Sequence, residues 1–430
     1  MRLDERQRQL DALLPHFREL WHPQPFREIR PAWCRRWPAL AAELLALDDE
    51  RAEALNADAS AALGWLDRHL PELAAIAPLA ELPARTAIPA GAVDDHGSSA
   101  SPAIHGGVSE TSQPGAVGAP NSWRGSPKLQ LGATHRWAWE IPGRKRAQIE
   151  AFAAAARCGR RPVLDWCGGK GHLGRLLAGR WQVAVHTLEI DAALCQAGER
   201  LAQRLGIDQS FVAADARSAD LRAIGDRHAV ALHACGELHR RLIRDGAAAG
   251  IACFDIAPCC YHLHLGEGYR PLAAASSLAL TADDVRLAVT ETVTAGTRER
   301  RQRDRAISFK LAFAAWRGKI DGTPYRSFKP VPEAWLRGDF AGFMAAMCQR
   351  EGVALPSAGD LARCEQRGGE RQREVLRLSI VRHALRRALE VWLAGDLAVF
   401  LEERGYAVEL GVFCARALTP RNLLISARRG

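Results

Sequence analysis

The chain has 430 residues, 48% hydrophobic and 25% charged, with a formal net charge of +9. This is ordinary globular composition, enough for two compact units or one large domain with insertions, and it excludes a mostly disordered chain. No uncharged apolar run approaches a membrane span, and the N-terminus MRLDERQRQLD lacks the apolar core of a signal peptide, so a cytoplasmic protein without membrane attachment is expected. The basic side is lopsided, with six lysines and 52 arginines. Guanidinium groups fork onto phosphates, which points toward nucleic acid, although a GC-rich coding sequence also inflates arginine. The eleven cysteines are odd in number and contain no C-x-x-C pair. That argues against a secreted disulfide framework and against a common zinc ribbon.

Residues 1–85 read as helices, with Leu10, Leu13, Leu14, Phe17 and Leu20 at helical spacing and Pro15, Pro23, Pro25, Pro31 and Pro38 as punctuation. Trp21, Phe26, Trp33 and Trp37 lie among Arg27, Arg30, Arg35 and Arg36. A small helical core with snorkelling arginines explains this better than an RNA-contacting face, which is the alternative. Residues 86–122 are dominated by Gly, Ala, Ser and Pro and are expected to form a flexible linker. From 123 to the end, short strands alternate with helices. Strands are expected at Val163–Trp166, Val183–Glu189, Ser210–Ala213, Ala229–His233 and Ile251–Ala257, which implies a parallel, doubly wound α/β sheet. A long helix over roughly 370–403 precedes two more strands, Ala407–Phe413 and Leu423–Ala427. The short loop between them demands an antiparallel hairpin. A mostly parallel seven-stranded sheet with an antiparallel last strand is the layout of Rossmann-like class I methyltransferases.

The first strand runs into Asp165-Trp-Cys-Gly-Gly-Lys-Gly-His-Leu-Gly174, in which Gly169, Gly171 and Gly174 form G-x-G-x-x-G between a strand and a helix. Glycines let a ligand approach the backbone, and the helix start offers free N–H groups. Asp165 closes the first strand, Glu189 closes the second and Asp215 follows the third. In a methyltransferase these positions face the cofactor's amino-acid end, its ribose hydroxyls and its adenine. The cofactor set expected for S-adenosylmethionine is therefore Asp165, Cys167, Gly169, Gly171, Glu189, Asp215 and His233. A nicotinamide cofactor fits less well. The fourth strand ends in LHACGE and the fifth in DIAPCCYH, both at the carboxyl edge where open α/β sheets bind ligands. The acceptor pocket and its catalytic groups are expected among His233, Glu237, Cys259, Tyr261 and His262.

The motifs LDWCGGKGHLGRLL, VALHACGEL, APCCYH and LEERGY…LTPRNLLISA resemble the methyltransferase-like protein 25 family. They are at least as similar to the methyltransferase domain of glutathione S-transferase C-terminal domain-containing protein. A tRNA 2′-O-methyltransferase of the acceptor stem is a more distant relative. The likeness covers roughly residues 144–428 with an interruption. It implies the class I fold and S-adenosylmethionine, and it implies the acceptor much less firmly. Many such relatives place Gly where this chain has Cys167, but the glutathione S-transferase-related branch also has Cys there.

Cys259, Cys260 and His262, with His233 and Cys235 on the neighbouring strand, could offer soft ligands to zinc, but the spacing matches no standard motif and no metal is expected. Pro258-Cys259 also invites comparison with a nucleophilic cysteine. The preferred reading is that this turn shapes the acceptor pocket. Residues 263–359 are an insertion whose helices are expected to cover that pocket, with Thr281–Asp284 as a helix start. Arg298, Arg301 and Arg305 in its basic run, and Arg421 and Asn422 in the last loop, are the expected substrate contacts. The expectation is an S-adenosylmethionine-dependent methyltransferase acting on RNA (tRNA or rRNA, at ribose 2′-O or a base nitrogen) without a stable protein partner. The alternatives are a non-catalytic RNA-binding or assembly module, or a protein or small-molecule methyltransferase.

Overall fold

The computed structural model describes residues 1–85, 135–138, 140–157, 160–222, 226–290, 296–323 and 325–430. The expected linker at 86–122 lies outside these residues.

The N-terminal segment forms α1 (Leu3–His16), α2 (Arg18–Trp21), α3 (Trp33–Arg36), α4 (Pro38–Ala46), α5 (Asp49–Ala57), α6 (Ala59–Leu66) and α7 (Ala77–Ala80). Next come α8 (Gly143–Ala155), β1 (Val163–Trp166), α9 (His172–Trp181), β2 (Val185–Glu189), α10 (Ala192–Leu205), β3 (Gln209–Ala213), β4 (His228–Cys235), α11 (Glu237–Ala248) and β5 (Cys253–Cys259). The sheet order is β3-β2-β1-β4-β5-β7-β6, with β6 (Tyr406–Val412) and β7 (Leu423–Arg429) completing it. β1 to β5 run parallel, and β7 is antiparallel to both β5 and β6. This is the class I methyltransferase fold. Every residue of β5 is buried, as its near-continuous apolar text CFDIAPC requires of a central parallel strand.

The single long helix expected over 370–403 is two helices, α16 (Ala358–Ala384) and α17 (Arg386–Glu402), broken at Leu385. Residues 386–401 of α17 are all buried, so its four charged side chains need partners inside. Arg387 pairs with Glu390 at 2.6 Å, and Arg386 donates to the carbonyls of Asn56 and Ala57 at 2.8 and 2.9 Å. Asp396 accepts from the Tyr269 hydroxyl at 2.7 Å and from the Leu272 and Ala273 N–H groups at 3.0 Å.

The N-terminal helices share this core. Leu10, Leu14 and Trp392 are fully buried where α1 packs on α17, and Trp392 donates to Asp11 at 3.0 Å. Each such side chain contributes about 1.5–3 kcal/mol on leaving water. Trp21 and Trp33 are likewise buried, and the Trp21 indole donates to the Leu14 carbonyl at 2.8 Å. Their faces are spent on packing and are closed to base stacking, while Phe26 and Trp37 are half-buried.

The insertion divides in two. Its first part straps the N-terminus down: Ser277 N–H and hydroxyl bond Asp11, and Gln7 donates to the Ser276 hydroxyl at 2.9 Å. Then α12 (Ala282–Ala288) opens with a capping box, Thr281 accepting from Asp284 N–H and Asp284 accepting from Thr281 N–H. Buried Asp284 also binds Arg18 at 2.9 Å and His22 at 2.6 Å. The second part, α13 (Thr297–Asp321), α14 (Glu333–Arg337) and α15 (Phe340–Glu351), builds a separate cluster from Phe309, Phe313, Phe343, Met344 and Met347. These helices pack on one another and α13 packs on α16, instead of lying over the sheet edge as expected. Burying these aromatic and methionine side chains against each other outweighs any gain from spreading them over a polar pocket.

Candidate active site

The loop after β1 is held from below by a buried polar chain. Gln209 donates to the Gly171 carbonyl at 2.9 Å and to the Thr187 hydroxyl at 2.8 Å. Thr187 donates in turn to Asp165 Oδ2 at 3.3 Å, which also accepts the Gly174 N–H at 3.2 Å. Asp165 is only 1% exposed, and burial raises its carboxyl to about 6. Its contribution is thus to fix the loop, with Oδ1 carrying none of these bonds. Gly171 sits at φ +63°, and a Cβ there would drive into the Gln209 amide and the Phe211 ring. Gly169, at φ +60°, has nothing within 4 Å of the corresponding position and so faces open space, as a ligand-cradling residue must. Cys167 also adopts positive φ, 56°, and burial together with Glu189 and Asp165 pushes its thiol up to about 12. It is a neutral wall residue.

Arg175, fully buried, clamps the same loop by donating to the Lys170 carbonyl at 2.8 Å and to His172 Nδ1 at 3.2 Å. Burial and the cations Arg175, Lys145 and Lys170 lower His172 to about 4, leaving a neutral ring able to accept that proton.

Glu189, at the end of β2, has its carboxylate fixed by three backbone donors. Oε2 accepts from Gly169 N–H at 3.0 Å, and Oε1 accepts from Ile190 and Asp191 N–H at 2.9 and 3.1 Å. Of roughly four lone-pair sites, about one stays free, so accepting both hydroxyls of a ribose requires one backbone bond to give way. Asp215 is gripped by Arg217, whose guanidinium donates to both carboxylate oxygens and whose N–H donates to Oδ1. These hydrogen bonds hold the Asp215 carboxyl below its ordinary range. Ile190, next to Glu189, and Val212, at the end of β3 before Asp215, are 61% and 51% exposed, large apolar side chains that a flat heterocycle would cover. Ile190 and Val212 were not singled out in the sequence, where each reads as the tail of a strand.

At the ends of β4 and β5 the ladder slips. A bulge between Leu232 and Cys235 places His233 at φ +73° and returns Cys235 to register opposite Cys259. His233 swings outward, its Nε2 3.2 Å from Gln148 Oε1, while Gln148 donates to the Leu418 carbonyl at 3.1 Å. Gln148 thus ties α8 to the pocket and to the β6–β7 loop, a role invisible in a helical sequence position. Cys260 also adopts positive φ, 44°, so that the thiols of Cys235, Cys259 and Cys260 all lie within 4.8 Å of one another. The Cys235 and Cys259 thiols, with Arg421 adding, hold Cys260 below the usual thiol range. Cys259 itself is buried and pushed up, which counts against it as a nucleophile.

The remaining expected residues separate. Tyr261 is fully enclosed, edge-on to His239, and its hydroxyl does not reach the pocket. Glu237 is bound by Arg240 at 3.1 Å and Arg244 at 3.0 Å on its own helix. His262 is half-buried; burial and the Arg286 charge lower its ring. Arg421 braces the edge by donating to the Val289 carbonyl, and Asn422 donates to the Cys414 carbonyl at 2.8 Å. Arg305 donates to the Gly338 carbonyl and stacks over Phe309, so it serves the insertion's own core. Arg298 and Arg301 are exposed near the start of α13, whose Gly296 cap is seven residues from Val289. That span reaches at most about 25 Å from the Arg421 contact.

Residues 144–266 match the family model described as a methyltransferase domain. No curated protein matches the chain. Among solved structures the chain is similar to an O-methyltransferase family protein from Burkholderia thailandensis, with 12% identity over 69% of this chain and 62% of that one, at a TM-score of 0.28. It is also similar to the 23S rRNA methyltransferase ErmE, with 17% identity over 54% and 98%, at 0.23. A geranyl diphosphate methyltransferase in complex with GPP and sinefungin follows, with 15% identity over 26% of this chain, at 0.22; the chain spans 44% of that structure, less than half its length. Open space at Gly169, an acid at or just after each of the first three strand ends and exposed Ile190 and Val212 fit S-adenosylmethionine. The chain therefore carries a class I, S-adenosylmethionine-dependent methyltransferase domain, matched by its family model over residues 144–266.

Proposed function

We propose that the protein transfers the methyl group of S-adenosylmethionine to RNA, at a ribose 2′-oxygen or a base nitrogen. The observation that carries this reading is the sign of the charge around the acceptor edge. Arg286 and Arg421 act on the His262 side and Lys145 on the His233 side. Arg298, Arg300 and Arg301 are exposed at the start of α13, which packs on α16 rather than over this edge. A polyanion is attracted to such an edge, and its backbone would orient the acceptor before transfer. The cofactor brings an already activated sulfonium methyl. The chain's own task is to hold the acceptor in line, exclude water and accept a proton where the acceptor is a hydroxyl. Glu237 is engaged by two arginines, which leaves the imidazoles of His233 and His262 as the proton-accepting groups at this edge.

The test is incubation of the purified protein with methyl-labelled cofactor and total RNA, a protein extract or small-molecule pools. Label in RNA, identified by nucleoside mass spectrometry, is the expected result, and label only in protein or small molecules overturns it. One observation favours the second reading, a non-catalytic module: Glu189 and Asp215 are both engaged by the chain's own donors. Calorimetry with S-adenosylmethionine separates the two, since the module predicts no heat of binding at millimolar cofactor.

A further inference from the structure

We propose that Cys235, Cys259 and Cys260 form a three-thiolate site for a zinc-type cation, with a fourth coordination position open toward the acceptor edge. The three sulfurs lie within 4.8 Å of one another, and Cys235 Sγ is 3.5 Å from Cys259 Sγ. Zinc–sulfur bonds of about 2.3 Å in a tetrahedral site place sulfurs about 3.8 Å apart, so sub-ångström movements complete the geometry. Neither parallel strand would bring these thiols together in an unbroken ladder. The bulge at His233 shifts Cys235 from opposite Cys260 to opposite Cys259, and the left-handed Cys260 brings the third thiol back to them. Two non-glycine residues held at positive φ in one small region cost about 1–3 kcal/mol each, which a structure retains where the arrangement serves something.

Among the described residues no His, Cys, Asp or Glu joins this group as a fourth ligand. Three protein ligands with an open position is the pattern of reactive rather than structural zinc. Three thiolates on a divalent cation leave one negative charge, and Arg421 from the β6–β7 loop, acting on Cys260, with Arg286 from α12, acting on the neighbouring His262, supply the compensating field. His262 Nδ1, on the turn that carries Cys259 and Cys260, is buried without a hydrogen-bond partner. Binding forms three metal–sulfur bonds and releases to solvent whatever S–H protons the three thiols carry, with no change of oxidation state. The fourth position takes water, or an oxygen or nitrogen of the acceptor, whose proton it would acidify.

The experiment is titration of the reduced, chelator-stripped full chain with cobalt(II), followed by displacement with zinc(II). Sulfur-to-cobalt charge transfer in the near ultraviolet, saturating at one equivalent, is expected. C235S and C260S should each lose most of that band and bind zinc at least about 100-fold more weakly. C364S, on α16 away from the cluster, should behave as the unaltered protein. Circular dichroism and S-adenosylmethionine calorimetry on each variant confirm that the fold persists, so loss of the band reports ligation. The proposal is overturned by a folded protein with no band, by a band that survives in the C235S/C260S double variant, or by a Cys235–Cys259 disulfide whose reduction restores no metal uptake. Each of these outcomes is independent of which acceptor is methylated.

Discussion

Asp165→Asn tests the reasoning about the cofactor loop most directly. Burial raises this carboxyl from 3.8 to about 6. At about 1.4 kcal/mol per pH unit, keeping it ionised at neutral pH costs the folded state roughly 3 kcal/mol. In the unfolded chain Asp165 loses its proton near pH 4, while the folded chain keeps it until about 6. Within that window the folded state binds more protons, so stability falls as pH rises, and the full cost persists above pH 6. Asparagine carries no such charge and still offers an oxygen to the Gly174 N–H. Its amide N–H₂ displaces Oδ1 and loses about 1 kcal/mol for want of a strong acceptor. The variant should therefore be slightly less stable than the unaltered protein near pH 4 and about 2 kcal/mol more stable at pH 7.5. Urea denaturation followed by tryptophan fluorescence at several pH values gives the difference curve, in which other titrating groups cancel. A difference independent of pH, or one favouring asparagine more at pH 4.5 than at 7.5, would refute the argument.

Four further outcomes are expected. S-adenosylmethionine carries an ammonium group that favours an ionised neighbour, so its affinity should rise between pH 5 and 7, with that slope absent in Asp165→Asn when measured by calorimetry. Glu189→Gln, which keeps one acceptor oxygen but turns an N–H₂ toward a ligand hydroxyl or a backbone donor, should weaken cofactor binding about tenfold, roughly 1.4 kcal/mol. Gly171→Ala, placed at positive φ against Gln209 and Phe211, should cost about 3 kcal/mol of stability in the same denaturation assay. Asp284→Ala removes the shared partner of Arg18, His22 and the Thr281 N–H, so about 3–5 kcal/mol should be lost and limited proteolysis should cut first in the N-terminal helices.

The strand order and the cofactor edge were legible because they rest on local text. Val163–Trp166 followed by three glycines at fixed offsets needs no tertiary information to read as strand, turn and helix. Acids at three successive strand ends likewise follow from position alone. The β2 start moved from Val183 to Val185, and the long terminal helix broke at Leu385, since ends depend on packing rather than periodicity. What Asp165 and Glu189 do was not legible, because Asp165 bonds Gly174 and Thr187 and Glu189 bonds Gly169, groups brought to them only by the fold. The local grip of Arg217 on Asp215 depends on a turn that residue type does not announce. Asp165 works from beneath the loop, and Asp215 is held by Arg217.

The amino-acid sequence by itself determined the parallel core, the antiparallel hairpin and the cofactor class, through hydrophobic period, glycine spacing and the placement of carboxylates. The tertiary structure alone decided three matters. The N-terminal helices became part of the same core as α17, because the apolar faces of both are buried only against each other. The second half of the insertion turned away onto α16, because its aromatic residues pack among themselves. The three thiols met because a bulge and a left-handed residue realigned two strand ends, a backbone event that leaves no signature in residue type.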